Sequence, residues 1–126
     1  MYAPIFETLA ASPAVVALLQ APTGQLRVYP AGEAPQDVSK PYVTHQQITG
    51  TPENYLNEVP DIDNFGNQMD VWGLTLNDVL MVGKAVRDAI ESVAHITAWL
   101  GTGREPDTRL YRLSCEVDWF TDRSTN

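Results

Sequence analysis

The sequence predicts an α+β domain, in which an antiparallel or mixed sheet of four to five strands carries helices on one face. Residues 109–120 alternate apolar and polar side chains with a period of two, as a strand buried on one face does. Residues 76–93 repeat apolar side chains at helical spacing. A further strand at 95–100 and a turn at 101–107 connect the two. With 126 residues, the chain is expected to form a single domain, 1–126.

The first third of the chain predicts short helices followed by a strand. Pro4 suits the first turn of a helix, and Ser12 followed by Pro13 has the pattern of an N-cap and a first helical residue. Residues 26–29 favour a strand, which the proline- and glycine-rich residues 30–35 end. We therefore expect one long helix and short N-terminal helices on the same face of the sheet.

The middle of the chain predicts two strands separated by a long polar loop. Residues 42–50 favour a second strand, and residues 67–72 favour a third with Met69 and Val71 facing inward. The intervening residues 51–66 are polar and interrupted by two prolines and a glycine. A loop of this length is usually functional in a compact domain.

The long helix should begin after Thr75, since Asp78 three residues later gives the spacing of a capping box. Its inward stripe at 100° steps comprises Val79, Val82, Val86, Ala89, Ile90 and Val93. Leu80 and Met81 fall outside this stripe, so the helix should expose both of them. An exposed apolar pair on a helix is a candidate subunit contact.

Composition excludes several classes of protein. The net charge is −8, and the eight Lys and Arg residues are scattered, which argues against specific nucleic-acid binding. One cysteine allows neither an intramolecular disulfide nor a cysteine-rich zinc site. Residues 1–4 lack the features of a signal peptide, and the longest apolar run, 14–19, is too short for a bilayer. We expect a protein of the reducing cytoplasm without a membrane segment.

The sequence contains no recognisable catalytic, cofactor or metal constellation. His45, His95 and Cys115 lie on different predicted strands without ligand spacing, and Cys115 shares the apolar side of the last strand. Residues 61–66 match only the start of a calcium loop. Residues 101–103 precede a strand, whereas a phosphate site would need a helix N-terminus there. We therefore expect no enzyme, no cofactor and no metal.

Residues 51–70 combine acidic and large apolar side chains and contain no Lys or Arg. The acidic members are Glu53, Glu58, Asp61, Asp63 and Asp70, and the apolar members include Tyr55, Leu56 and Phe65. Such a segment is typical of an arm that docks on a neighbouring subunit, and it would also suit a lid over the domain's own core. Candidate interface residues are therefore Leu80, Met81, Tyr55, Leu56 and Phe65.

A set of short motifs occurs in a characteristic order along the chain. They are YPAGEAP (29–35) leading into PYV (41–43), TPENYL (51–56), NQMDVW (67–72), RDAI (87–90) in the long helix, LYR (110–112) and VDW (117–119). In this order and spacing, the chain resembles the tail-terminator, or tail-completion, proteins of long-tailed bacteriophages, a family long catalogued as a domain of unknown function.

The resemblance implies a structural virion protein. Such a subunit forms a ring, with six as the expected number of copies, at the head-proximal end of the tail tube. There it stops polymerisation of the tube protein and presents a surface to the head connector or stopper protein. Genome DNA would pass through without specific binding, repelled by an acidic lumen that the group Glu53, Glu58, Asp61, Asp63 and Asp70 would line. Assembly would take place in the host cytoplasm.

Two alternatives stay open from the sequence. A head-side neck protein, an adaptor or stopper, is also small, acidic and ring-forming. A small-ligand-binding regulatory α+β module is a different class, and it predicts a sizeable apolar pocket in a monomer or dimer.

Overall fold

The computed structural model describes residues 3–52 and 62–122, and it places them in a five-stranded sheet and three helices. The helices are α1 (Ile5–Ala10), α2 (Pro13–Leu19) and α3 (Leu76–Ile90), and the strands are β1 (Val28–Pro30), β2 (Tyr42–Pro52), β3 (Ile62–Gly73), β4 (Ala94–Arg104) and β5 (Tyr111–Asp122). The strand order is β1-β2-β3-β5-β4. β1 runs parallel to β2, whereas the other neighbours are antiparallel. The predicted α+β class with a mixed sheet is confirmed.

Side-chain caps begin two of the helices where the sequence predicted. The Ser12 hydroxyl accepts a hydrogen bond from the Val15 N–H at 3.3 Å, and Pro13 occupies the first helical position of α2. The Thr75 hydroxyl accepts one from the Asp78 N–H at 3.1 Å and begins α3. Both caps satisfy backbone donors that the first turn of a helix leaves unpaired.

The core lies between one face of the sheet and the three helices. The predicted inward residues of β3, Met69 and Val71, are buried. Of the predicted inward side of β5, Leu113, Cys115, Val117 and Trp119 are buried, and Tyr111 packs against the core from its edge. α3 contributes Val79, Val82, Val86 and Ile90, and the short helices contribute Ile5, Leu9, Val15 and Leu19. The prediction for Val93 was wrong, because α3 ends at Ile90 and Val93 beyond it is 54% exposed. The period-two pattern of the last strand is thus confirmed.

The predicted polar loop at 51–66 is wrong at both ends. β2 continues to Pro52 and β3 already begins at Ile62, so that only residues 53–61 separate them, outside the described part of the chain. β3 pairs here with β2 on one side and with β5 on the other, from Ile62 opposite Asp122 onward. Backbone ladders on both sides satisfy N–H and C=O groups whatever the side chains are, so a polar composition did not prevent a strand.

β4 is longer than the sequence predicted. It runs to Arg104 through two irregularities in its pairing with β5, between Ile96 and Ala98 and between Trp99 and Gly101. Gly101 has φ of 103°, a left-handed conformation that glycine tolerates. An extra residue at a bulge changes which face the following side chains point to, and it interrupts the alternation by which a strand is predicted. The strand therefore continues through residues 101–104, where the sequence predicted a turn.

Candidate interaction surfaces

Leu80 and Met81 lie on the outer side of α3. Each side chain is 49% exposed, whereas Val79 and Val82 on the inner side are buried. The Asn77 side-chain amide donates a hydrogen bond to the Met81 sulfur at 3.3 Å. The predicted departure of this pair from the buried stripe is therefore confirmed.

Leu80 forms one wall of a groove between α3 and β4 with a volume of about 270 Å³. This α3–β4 groove is lined by Leu80, Gly83, Lys84, Arg87, Trp99 and Leu113. Its floor is the contact between Gly83 and Leu113, where a Cβ on residue 83 would overlap the Leu113 side chain. Trp99 stands opposite α3 and is 47% exposed, an unusual position for a large aromatic side chain.

Two cations form the rim of the α3–β4 groove. Arg87 Nη2 lies 3.3 Å from Asp88 Oδ1, and both of these side chains are exposed to solvent. Lys84 has no ion pair with any residue in the described part of the chain. A groove with apolar walls and a positive rim, in a chain of net charge −8, fits an occupant that is both acidic and apolar.

Of the acidic and apolar residues predicted between 51 and 70, the structure describes Asp63, Phe65 and Asp70. Glu53, Tyr55, Leu56, Glu58 and Asp61 lie outside the described residues. Asp63 and Phe65 belong to β3, where they pair with Thr121 and Trp119 of β5. Their backbone positions put them near the end of the β2–β3 hairpin, next to residues 53–61.

Asp70 differs from the other predicted acidic residues because its charge is compensated within the subunit. It is 8% exposed and accepts hydrogen bonds from Arg112 Nε at 3.2 Å and from the Ser114 hydroxyl. Arg112 Nη1 also lies 3.2 Å from Glu105 Oε1. Although burial lowers the pKa of the Arg112 guanidinium, the charges of Asp70 and Glu105 and their hydrogen bonds outweigh that effect and raise the pKa.

The ion pair belongs to a network on the sheet face opposite the helices. The Arg112 guanidinium lies 5.3 Å from the centre of the Trp72 ring. Trp72 donates from Nε1 to the Thr44 hydroxyl at 3.0 Å and stacks on Tyr42 at a ring separation of 6.2 Å. Three strands are thereby fixed together by polar side chains, and the network holds the outer face of the sheet in one arrangement.

Burial favours the neutral forms of the Cys115 thiol and of the half-buried His45 imidazole. Burial, with a smaller contribution from the charge of Asp70, raises the pKa of the Cys115 thiol to about 11. Burial lowers the pKa of His45, and the negative charge of Glu7 opposes part of that change. Within residues 3–52 and 62–122, no three His, Cys, Asp or Glu side chains are placed to hold a metal ion.

A cavity of about 580 Å³ lies between α1, β1 and β2. Phe6 and His45 line it together with Asn67, whose side-chain nitrogen is buried and has no hydrogen-bond partner in the described structure. A pocket of this size is what the small-ligand alternative predicted. None of the helices in the described part of the chain is long and apolar enough to cross a membrane.

Comparison with known proteins identifies the family of the chain. The family model of the tail completion protein gp17 matches residues 3–122. The chain belongs to the tail completion protein gp17 family. The resemblance inferred from the ordered motifs is thereby confirmed over nearly the whole chain, and the protein is a structural component of a virion tail.

A solved structure supports the same fold. Nine chains of solved structures match, among them one from the virion of a native gene transfer agent particle. That chain is 14% identical and superposes with a TM-score of 0.63, covering 94% of the gp17-family chain described here and 91% of its own length. Identity this low establishes a shared fold only. Among curated proteins, none matches significantly.

Sequence reasoning missed the groove although it found Leu80. Trp99 was assigned to a strand, and its exposure depends on the bulge beside it. Helical spacing pairs Lys84 with Asp88 and Arg87 with Glu91 on the outer side of α3, and that pattern does not indicate a groove beside the two cations. One signal in the sequence could have indicated the groove. Gly83 lies on the inner face of the predicted helix, and the aromatic residue Trp99 lies in the strand that follows.

Proposed function

We propose that this tail completion protein forms a ring at the head-proximal end of the tail tube, stops polymerisation of the tube protein and joins the tail to the head connector. The match of the gp17 family model to residues 3–122 carries the proposal. The particle to which the structurally similar chain belongs is itself a virion, which agrees with assembly into a phage-like tail. Six copies are expected from the family resemblance.

The surfaces of the subunit suit a cyclic ring. A ring needs heterologous contacts, in which one patch meets a different patch on the next copy. Leu80 and Met81 on α3 supply one exposed apolar patch. The segment around Tyr55, Leu56 and Phe65 supplies the second, at the end of the β2–β3 hairpin.

The charge of the subunit suits a ring that DNA crosses. A net charge of −8 per copy would give a closed ring a strongly negative interior field, which repels the phosphate backbone and opposes specific binding. Glu53, Glu58, Asp61 and Asp63 are the candidate acidic residues. Asp70 is left out of this group because Arg112 already neutralises it.

The test is electron microscopy of lysates from the parent phage with this gene deleted, with the gene supplied from a plasmid as the control. The proposal predicts over-long tubes beside unattached, filled heads, and tails of normal length when the gene is restored. Tails of normal length beside unattached heads would instead favour the head-side neck protein. Normal infectious virions would contradict both and return attention to the ligand-binding alternative, which the cavity lined by Asn67 would then favour.

A further inference from the structure

We propose that residues 53–61 of one copy dock in the α3–β4 groove of the next copy, with Tyr55 and Leu56 against the apolar walls and with the acidic side chains beside Lys84 and Arg87. The inference rests on the proposed ring and adds which two surfaces meet in it. It assigns Glu53, Glu58 and Asp61 to this contact between copies in place of the bore.

The walls of the groove offer an apolar side chain a place to bury. Leu80 and Trp99 face each other across it at about half exposure, and Leu113 lies below them. Exposed aromatic residues beside a pocket are typical anchors of protein interfaces. Residues 53–61 carry Tyr55 and Leu56, the kind of side chain that such a pocket binds.

The charges of the two surfaces are complementary. Residues 53–61 contain Glu53, Glu58 and Asp61 and no Lys or Arg. The groove rim carries Lys84, which has no ion pair within the described residues, and Arg87, which forms an ion pair with the exposed Asp88 on its own helix. Complementary charges at a rim set orientation and partner choice, and salt should weaken them. Two acidic copies would otherwise repel each other.

The strand register shows why the partner must be a second copy. Trp99 pairs with Cys115, whereas Asp63 at the base of the segment pairs with Thr121, six residues further along β5. At about 3.4 Å per residue and about 4.8 Å per strand, the base of the segment lies ~20 Å along and ~10 Å across from Trp99. A nine-residue segment held at both ends reaches only ~15 Å from its anchors. The segment therefore cannot fill the groove of its own subunit.

Cysteine cross-linking tests the contact directly. Subunits with Tyr55→Cys and subunits with Lys84→Cys, distinguished by a tag on one of them, are mixed on tail tubes from the deletion lysate and oxidised. Cys115 can stay in place because it is buried and its thiol pKa of about 11 keeps it unreactive at neutral pH. The proposal predicts a tagged–untagged covalent dimer. In the matched control, Lys40→Cys replaces Lys84→Cys. This control should give at least tenfold less of the tagged–untagged covalent dimer.

Charge reversal tests the same contact through assembly. Lys84→Glu with Arg87→Glu should reproduce the over-long tubes of the deletion, whereas the control Lys40→Glu should not. Adding Glu58→Lys and Asp61→Lys to the double variant should restore tubes of normal length in part. Trp99→Ala should also impair assembly, and Leu100→Ala should not, since Leu100 is equally exposed but lies outside the groove.

The outcomes separate this inference from the proposed function. Cross-linking no stronger than the control, or normal tube length with the reversed rim, would overturn the docking and leave the ring proposal standing. A further outcome concerns the variant that combines Glu58→Lys, Asp61→Lys and Asp63→Lys. If its tubes are normal but DNA delivery fails, the segment lines the bore, and the docking inference is overturned. If the wild-type gene does not correct tube length at all, the proposed function itself fails.

Discussion

The contact between Gly83 and Leu113 gives the sharpest stability prediction. These residues form the floor of the α3–β4 groove, and a methyl group at position 83 would overlap the terminal Cδ2 of Leu113. The perturbation is Gly83→Ala, made in the wild-type chain and again in a chain carrying Leu113→Val. Valine lacks the overlapping atom and suits a strand.

Two opposing effects set the size of the change. Alanine in a helix interior is about 1 kcal/mol more favourable than glycine. Forcing an extra methyl into a packed site costs about 1–3 kcal/mol. Gly83→Ala should therefore destabilise the wild-type chain by roughly 0–2 kcal/mol, and it should stabilise the Leu113→Val chain by about 1 kcal/mol, where only the helix effect is left.

Urea unfolding of the four proteins, at a concentration low enough to keep them monomeric, measures the coupling between the two positions. The expected coupling is about 1–3 kcal/mol, and it equals the cost of the overlap. Stabilisation by the same amount in both backgrounds would show that α3 does not pack on β5 in this way.

Three further predictions concern the helix cap at Thr75 and the titration of Cys115 and His45. Thr75→Ala should cost about 1 kcal/mol of stability in urea unfolding, because it removes the acceptor of the Asp78 N–H, and Thr75→Ser should recover most of it. Cys115 should resist iodoacetamide at pH 8 until the chain is unfolded, and stability should fall as the pH rises from about 9 to about 11. The unfolded thiol loses its proton first over that range, so Cys115→Ala should reduce the slope. Part of the slope stays, because burial also raises the pKa of Tyr42. His45 titrates in the opposite sense: its pKa is lowered by folding, so stability should fall as the pH drops below 6.5, and His45→Gln should flatten the fall. An unchanged pH profile in either variant would contradict the assigned environment.

The elements that the sequence predicted well are those set by local chemistry. The alternation of β5 and the stripe of α3 follow from strand and helix periodicity, and the caps at Ser12 and Thr75 follow from the need of a first turn for acceptors. Each of these signals lies within a few residues of the structure that it determines. The family resemblance added the function, which none of these patterns carries by itself.

The features that the sequence did not predict depend on partners far away in the chain. β2 and β3 extend through polar residues because each finds a backbone partner. β5 pairs with β3 although it begins nearly forty residues after β3 ends. Asp70 was grouped with the acidic residues of the segment 51–70, because its ion-pair partner Arg112 cannot be identified from spacing. The α3–β4 groove needs the bulge at Trp99 and the close approach at Gly83 together, and only the fold brings them side by side.

Cryo-electron microscopy of the intact virion neck would show whether the ring exists and where it lies. We expect one closed ring of this chain between the last ring of the tail tube and the head connector, with residues 53–61 of each copy in the α3–β4 groove of the next. Absence of the chain from the neck, or its presence only on the head side of the connector interface, would refute the proposed function.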